Sequence, residues 1–341
     1  MSRVEYVTIT DTERKKQTQN EVQYGDIFFT TSSETPDEVG MTSVLLDEVK
    51  DCYLNSFCFG YRLNSITDVL PEYMRFYLRS NTIRRRLFVL AQGSTRFNIS
   101  KGEVMGLTIK LPGTAEQRKI AQLLAMIEDR IATQIKIIEK LESLIRGISN
   151  NLLYSESGTP VRLGDILSER SERTKVNNQH EVLSSTVKGI FSQREYFSKD
   201  IASENNVGYK VIRLHDVVLS PQNLWMGNIN YNDKFDIGIV SPSYKIFSIA
   251  DGYDKRFVAA MLKTHRALYN YMLVSEQGAS VVRRNLNMEA FEQLVFKMPP
   301  IDKQREIGNA ISALQSRLEL AVRAKTAYEK QKQWLLTQMF I

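Results

Sequence analysis

Two heptad stripes of apolar residues constrain the fold of this chain more than any other feature. The first follows "LPGTAEQRKI" (residues 111–120) and the second follows "MPPIDKQREI" (residues 298–307). Each stripe continues for roughly five heptads, and a helix of about 40 residues at 1.5 Å per residue is roughly 60 Å long. A helix of that length cannot be buried inside a domain of about 150 residues. Each stripe therefore needs a partner.

The two stripes are predicted to pair with each other inside the chain. They are of similar length, and antiparallel pairing buries both seams; pairing with a second chain is the alternative. Polar seam positions at Gln134, Lys325 and Lys332 are expected to specify the register. The predicted seam residues are Ile120, Leu124, Ile127, Ile131, Ile138, Leu141, Ile307, Ile311, Leu314, Leu318, Tyr328 and Leu335.

The segments that precede the two stripes are copies of one another. Arg96–Ile131 aligns with Arg283–Leu318, with identities that include Asn98/Asn285, Pro112/Pro299, Gln117/Gln304 and Ile120/Ile307. Each copy has extended β-branched segments, a mixed helix with basic residues (Glu72–Leu90 or Lys255–Ser275), a short strand, a proline and a long helix. The pattern indicates a tandem duplication.

The predicted fold class is α+β, with two tandem pseudo-symmetric globular domains and two long helices that form an antiparallel intrachain coiled coil. The predicted divisions are residues 1–111 (first globular domain), 112–155 (first long helix), 156–298 (second globular domain) and 299–341 (second long helix).

The starts of the long helices and of the two copies differ in detail. Thr114 and Gln117 have the spacing of a capping box, whereas in the second copy Ile301 occupies the cap position and Asp302 is the alternative cap. The second copy also opens with a strand and loop, Val161–Val176, that the first lacks before Val4. The first domain is therefore predicted to be short at its N-terminus, unless the segment at Val161 partly serves it.

The charge distribution predicts a polyanionic partner. The net charge is +6, and Pro71–Lys101 holds seven Lys and Arg against one acid. Lys255–Arg284 holds six against one. Two solvated helix faces are the alternative reading of these clusters. There is no apolar run of the ~20 residues that span a bilayer, and the two cysteines form no disulfide framework. A soluble cytoplasmic protein is expected.

Motifs for catalysis are nearly absent. The sequence has no phosphate-binding glycine loop, and its three histidines lack the spacing of a zinc site. One degenerate match, "PDEVGMTSVLLDEVK", places Asp37, Glu48 and Lys50 at the spacing of a metal-dependent nuclease. That site needs Glu48 and Lys50 on a core strand. No catalytic residue and no metal site are expected, and the nuclease is kept as an alternative.

The duplicated "[LM]P…QR.I" box before a long heptad helix resembles the specificity subunit of type I restriction–modification enzymes. Further local agreement comes from "VVLSPQNLWMGNI", "GIVSPSYKIF", "YLNSFCFGYRL" and "GSTRFNIS". The resemblance implies that each globular copy is a target recognition domain, which reads one half of a split double-stranded DNA sequence. The helices set the gap and dock two methyltransferase subunits, which a restriction and translocase subunit joins. S-adenosylmethionine, ATP and Mg²⁺ are then used by those partners and not by this chain.

Candidate DNA contacts lie in loops that follow strands. Arginines beside Gly-Ser-Thr loops suit phosphates, and Asn, Gln and Arg can read base edges. Trp225 can stack on the core or on DNA, and the core is favoured. A coiled-coil scaffold without sequence-specific DNA binding is the main alternative. The candidates are Thr30, Thr31, Ser32, Ser33, Arg84, Arg85, Ser94, Thr95, Arg96, Asn98, Gln222, Asn223, Ser280, Arg283, Arg284 and Asn285.

Overall fold

The structure is a computed structural model that describes residues 21–152, 158–196, 205–277 and 284–340. The chain divides into two compact units. Unit 1 is Met1–Lys136 with Val322–Ile341, and unit 2 is Ile137–Ala321. No helix within the described ranges is long and apolar enough to cross a membrane. Each unit therefore contains a part of both long helices, because these span residues 114–152 and 301–339.

Unit 1 is built on a small antiparallel sheet covered by helices. Its central sheet has the order β3-β1-β4, and β2 pairs with β5 in a separate two-stranded ladder. The strands are β1 (Ile27–Thr30), β2 (Ser32–Ser33), β3 (Thr42–Val44), β4 (Cys58–Tyr61) and β5 (Phe97–Asn98). The helices are α1 (Pro71–Tyr77), α2 (Asn81–Val89), α3 (Lys101–Met105) and the start of α4 (Thr114–Leu152).

Unit 2 repeats this plan with additional strands. Its main sheet has the order β12-β11-β14-β7. The strands are β6 (Thr159–Arg162), β7 (Leu167–Arg170), β8 (Leu183–Thr186), β9 (Gly189–Ser192), β10 (Lys210–Arg213), β11 (Val217–Leu219), β12 (Ile229–Tyr231), β13 (Ile237–Val240), β14 (Lys245–Ile249), β15 (Ser275–Gln277), β16 (Arg284–Leu286) and β17 (Val295–Met298). The helices are α5 (Leu163–Ile166), α6 (Gln193–Tyr196), a 3₁₀ turn (Leu224–Met226), α7 (Lys255–Leu262), α8 (His265–Leu273), α9 (Met288–Glu292) and α10 (Ile301–Met339).

The two central sheets show how the copies differ. The order β3-β1-β4 in unit 1 corresponds to β12-β11-β14 in unit 2, where β7 adds a fourth strand along β14. The described residues of unit 1 contain no strand equivalent to β7. The segment at Val161 lies in β6 and pairs with β17. It therefore belongs to unit 2, and the idea that it partly serves the first domain is wrong.

Each predicted mixed helix is in fact two helices. In unit 1 the chain leaves the helix after Tyr77 and restarts where the Oγ atom of Ser80 accepts a hydrogen bond from the Ile83 amide at 3.5 Å. In unit 2 Thr264 caps α8 in the same way through the Ala267 amide. A side-chain oxygen at an N-cap favours a new start, so continuous helices over Glu72–Leu90 and Lys255–Ser275 were wrong.

A buried glutamine joins the start of each long helix to the unit in which that helix begins. The carboxamide oxygen of Gln117 accepts a hydrogen bond from the Leu70 amide at 2.9 Å, and its nitrogen donates to Pro112 at 2.8 Å and Asp68 at 3.1 Å. Gln117 is 1% exposed. Leu70 is the N-cap residue of α1, so its amide has no partner inside that helix. The side chain of Gln117 therefore does not form the predicted capping box with Thr114.

Unit 2 contains the same glutamine bridge. The Oε1 atom of Gln304 accepts from the Asp254 amide at 3.0 Å, and Nε2 donates to the Pro299 carbonyl at 2.8 Å. Asp254 is the N-cap residue of α7. The adjacent Gly308 allows a close approach, because a Cβ atom there would lie 2.5 Å from the Asp254 carboxylate. The alternative cap Asp302 lies inside α10 and pairs with Arg305 instead.

The two long helices run antiparallel to each other. In unit 1, Lys332 of α10 donates to Glu128 of α4 at 2.6 Å. In unit 2, Ile148 of α4 packs against the core that contains Ile307 and Ile311 of α10. Later residues of one helix thus meet earlier residues of the other. The intrachain pair predicted from the heptads is confirmed.

Burial along the helices follows the heptad stripes. Leu124, Ile127, Ile307 and Ile311 are buried, and Glu128 also contacts Arg75 of α1 besides Lys332. Of the polar seam residues, Gln134 is half-buried and Lys325 pairs with Glu329 of its own helix. The remaining predicted seam residues are half-buried: Ile120, Ile131, Ile138, Leu141, Leu314, Leu318, Tyr328 and Leu335.

Gln117→Leu and Gln304→Leu should each lower the free energy of unfolding by about 1–3 kcal/mol, because a half-buried amide and a half-buried carbonyl lose their partners. Gln122→Leu, on an exposed position of α4, is the matched control and should change it by less than about 0.5 kcal/mol. Urea unfolding measures all three variants. If Gln117→Leu and Gln122→Leu change the free energy of unfolding equally, the glutamine hydrogen bonds do not stabilise the protein.

Glu128→Gln should destabilise the chain by about 1–2 kcal/mol, since Arg75 and Lys332 then face each other without the carboxylate between them. The three side chains are 28–32% exposed, so the effect is smaller than for a fully buried charge. Glu139→Gln, at an exposed position of the same helix, is the control. We expect the difference between the two variants, measured by thermal unfolding, to shrink in 1 M salt.

Candidate nucleic-acid interface

The strands β1 and β11, which each lie between two neighbours, run from one end of their unit to the other. In unit 2, β11 begins after His215 and Asp216 and ends at Leu219, just before Ser220. The antiparallel register Val217↔Tyr231 and Leu219↔Ile229 places Tyr231 near the first end. Asp254, the N-cap residue of α7, and Gln304, in the first turn of α10, meet at that same end. A cavity of about 300 Å³ there is lined by His215, Tyr231, Asp254, Lys255, Arg256 and Arg305. We call this end the helix end, and the opposite end, at Ser220–Gly227, the loop end. In unit 1 the helix end lies at Gly25, beside Pro71 of α1, and the loop end lies at Thr31–Ser33, after β1.

At the loop end of unit 1 the structure brings two predicted segments together. β2 pairs with β5 in the register Ser32↔Asn98, and the Ile99 amide donates to the Thr31 carbonyl at 3.0 Å. The intervening turn requires glycine at position 93, where φ is +133° and a Cβ atom would lie 2.0 Å from the Arg96 carbonyl oxygen. The exposed residues of that turn are Ser94, Thr95 and Arg96.

Three hydroxyl groups of the Thr30–Ser33 segment hold neighbouring loops. Thr30 Oγ1 donates to the Glu38 carbonyl at 3.1 Å, and Thr31 Oγ1 donates to the Phe57 carbonyl at 2.7 Å. Ser33 Oγ donates to the Glu38 carboxylate at 3.0 Å. These hydroxyls therefore shape the loop end, and the groups that face solvent most openly lie in the glycine turn.

Two adjacent arginines have different surroundings. The guanidinium of Arg84 donates to the carbonyls of Gly40 at 2.9 Å, Val39 at 3.0 Å and Asp37 at 2.5 Å. Burial lowers its pKa, and the neighbouring Asp37 opposes that shift. Arg85 is exposed beside a cavity of about 550 Å³ that Phe88 and Val89 also line. Arg84 thus closes the loop at residues 37–40, and Arg85 is the arginine that is open to a ligand.

The loop end of unit 2 is assembled in the same place. The Arg284 amide donates to the Gln222 carbonyl at 3.2 Å, and the guanidinium of Arg284 lies over the Trp225 ring at 4.8 Å. Gln222 and Asn285 are exposed, and Asn223 is half-buried. Trp225 is half-buried too, so it contributes both to the packing and to the surface. Ser280 and Arg283 lie outside the described residues.

A network of buried amides supports the loop end of unit 2. Ser185 Oγ donates to the Asn228 side-chain oxygen at 2.8 Å, and the side-chain nitrogen of Asn230 donates to Ser185 Oγ at 2.7 Å. The Ser220 amide donates to the Asn228 carbonyl at 2.9 Å. Sequence reasoning missed this network, although two asparagines that alternate with apolar residues at the start of a strand were a usable signal, because buried amides need partners.

The proposed nuclease residues do not form the geometry that such a site needs. Glu48 and Lys50 lie in irregular structure after β3, and Asp37 lies in a turn. The described residues contain no group of three or more His, Cys, Asp or Glu side chains that could hold a metal ion. What the loop ends do present is hydroxyl, amide and guanidinium groups, and these recognise phosphates and base edges by hydrogen bonding.

Comparison with known proteins identifies relatives of this chain. Residues 3–143 match the family described as the type I restriction modification DNA specificity domain. The S subunit of a type I restriction–modification system from M. genitalium superimposes with a TM-score of 0.62 at 14% identity, covering 95% of this chain and 84% of that chain. That likeness establishes a shared fold over nearly the whole chain.

Two further solved structures align over similar lengths. One is a chain from a study of complex assembly and conformational transition of the type I R-M system, with a TM-score of 0.49, 15% identity and coverage of 95% and 84%. The other is the HsdS subunit from Thermoanaerobacter tengcongensis, with a TM-score of 0.43, 16% identity and coverage of 94% and 81%.

Arg84→Ala and Arg85→Ala should separate structural from binding roles. Arg84→Ala removes three hydrogen bonds to loop carbonyls and should lower the free energy of unfolding by about 1–3 kcal/mol. Arg85→Ala should leave unfolding within about 0.5 kcal/mol and reduce the salt dependence of duplex binding by about one phosphate contact. Urea unfolding and salt-dependent binding measure the pair. If only Arg85→Ala lowers the free energy of unfolding, Arg85 has the structural role and the assignment of Arg84 to that role is contradicted.

Proposed function

We propose that this chain, whose residues 3–143 match the type I restriction modification DNA specificity domain family, is the non-catalytic subunit that selects the DNA target of a type I restriction–modification complex. Each unit reads one half of a bipartite sequence in double-stranded DNA with its loop end. The antiparallel helix pair sets the gap between the two half-sites.

One observation supports this proposal above the others. The same loop end, with solvent-facing hydroxyl, amide and guanidinium groups, occurs once in each unit of a duplicated chain. In both units a buried glutamine fixes a 39-residue helix to the helix end. A bipartite DNA site needs two readers and a rigid element, because half-sites lie on the same face only at separations near whole turns of about 34 Å.

The long helices are proposed to dock two methyltransferase subunits, and restriction and translocase subunits then join the complex in the cytoplasm. Exposed apolar side chains on both helices support a docking surface, since exposed apolar patches on soluble proteins mark interaction sites. They are Met126, Ile137, Leu144, Leu320 and Trp334. Methyl transfer from S-adenosylmethionine and ATP-driven steps with Mg²⁺ belong to those partners.

Selection from randomised duplexes tests the proposal directly. The full chain, alone and with its methyltransferase subunits, should enrich two short motifs separated by a constant gap. A single contiguous motif, or binding with no sequence preference, would favour the scaffold alternative instead. Mg²⁺-dependent cleavage by the isolated chain that Asp37→Ala abolishes would instead support the nuclease.

Deleting one heptad from the middle of both long helices should shorten the gap by about three base pairs. Seven residues at 1.5 Å each correspond to about 10 Å, and successive base pairs are about 3.4 Å apart. Replacing the same heptad by another of equal length is the control and should leave the gap as it is. The ruler function is contradicted if the deletion also leaves the gap unchanged.

A further inference from the structure

We propose that Arg284 reads a guanine in the half-site of unit 2 and that Trp225 is the positioning residue that holds its guanidinium. The proposal rests on the DNA-specificity function and deepens it, because it names the base that one side chain recognises. It concerns side chains that the structure places together at the loop end of unit 2.

Three contacts fix Arg284 in place. Its guanidinium lies 4.8 Å from the centre of the Trp225 ring, and its Nη1 atom approaches the Met272 carbonyl, near the end of α8, at 3.5 Å. Its backbone amide donates to the Gln222 carbonyl at 3.2 Å. The side chain is therefore held between the 3₁₀ turn, α8 and the β15–β16 hairpin, and it is half-buried.

The contacts leave a defined set of donors on the guanidinium. Nε is buried and has no hydrogen-bond partner among the described residues, and Nη1 offers one of its two N–H groups to Met272. The second N–H of Nη1 and both N–H groups of Nη2 remain. These can point two parallel hydrogen bonds at a planar acceptor.

Guanine offers the matching pair of acceptors. Its O6 and N7 atoms lie side by side at the edge of the major groove, and a bidentate arginine is the commonest contact to them. A stacked guanidinium loses little further freedom on binding, so its plane favours one base orientation. A phosphate contact requires only the charge, and neither the ring beneath it nor the buried Nε would be needed.

The location agrees with a reading role. Arg284 lies beside Gln222 and Asn285, which are exposed, at the loop end and away from the start of α10. The first copy carries Phe97 at the position that aligns with Arg284. The guanine preference is therefore confined to the half-site read by unit 2.

Randomised-duplex selection with the full chain and matched variants tests this assignment. Arg284→Ala should lower the preference for guanine at one position of one half-site, by between about 5-fold and 150-fold, and leave the other half-site as in the parent chain. Arg284→Lys keeps the charge and should lose the same preference. Trp225→Leu should weaken it, and Trp225→Phe should restore most of it, because a ring remains under the guanidinium.

Arg305→Ala is the matched control, since it removes an exposed arginine at the helix end of the same unit. It should leave every base preference unchanged. Thermal unfolding of each variant shows whether it is folded, and Arg284→Lys covers the case in which the alanine variant unfolds.

The outcomes separate the inference from the function on which it rests. A parent chain that enriches no split motif contradicts the specificity function itself. If the parent motif is present but Arg284→Lys retains all preferences, or if Arg284→Ala weakens binding equally for every sequence, Arg284 contacts phosphate and the guanine assignment is overturned.

Discussion

The geometry of both units depends on one interaction, the hydrogen bonds of a buried glutamine at the start of each long helix. The side-chain oxygen of each glutamine accepts a hydrogen bond from the amide of an N-cap residue, Leu70 for Gln117 and Asp254 for Gln304. The side-chain nitrogen donates a hydrogen bond to the carbonyl of the proline five residues earlier. An N-cap amide has no partner within its own helix, so the glutamine satisfies a group that burial would otherwise make costly. One side chain thereby fixes a 39-residue helix onto a small α+β unit, and the direction of that helix is set where it begins.

The architecture could be predicted from the sequence because its signals extend over many residues. A heptad stripe supplies about ten seam positions per helix, and a tandem copy gives each assignment a second, independent instance. The antiparallel pair and the α+β class follow from these features. Short signals were less informative. The apolar periodicity predicts one continuous helix in each unit, but Ser80 and Thr264 start a second helix there. A single N-cap hydroxyl redirects the backbone without changing the apolar pattern.

The candidate interface was predictable at the level of loops but not of single side chains. Ser32 and Asn98, distant in sequence, meet because β2 pairs with β5, and this places the predicted segments together in unit 1. The sequence could not distinguish Arg84 from Arg85, because the partners of Arg84 are backbone carbonyls of residues 37–40. Nor could it reveal the role of Gln117, whose spacing from Thr114 also fits a capping box. Side chains that bind backbone groups far away in the chain leave no pattern in the residue types.

The packing of Phe340 against Tyr73 and Tyr77 has a consequence for the order in which the protein matures. Unit 1 takes its core residues from both sides of unit 2 in the sequence, because Leu335, Leu336, Met339 and Phe340 pack with side chains from residues 27–124. On the ribosome, unit 2 is a continuous segment that is complete as soon as residue 321 has emerged. Unit 1, although translated first, still lacks these aromatic and aliphatic partners at that moment. The core of unit 1 is thus completed only after the whole of unit 2 has been synthesised.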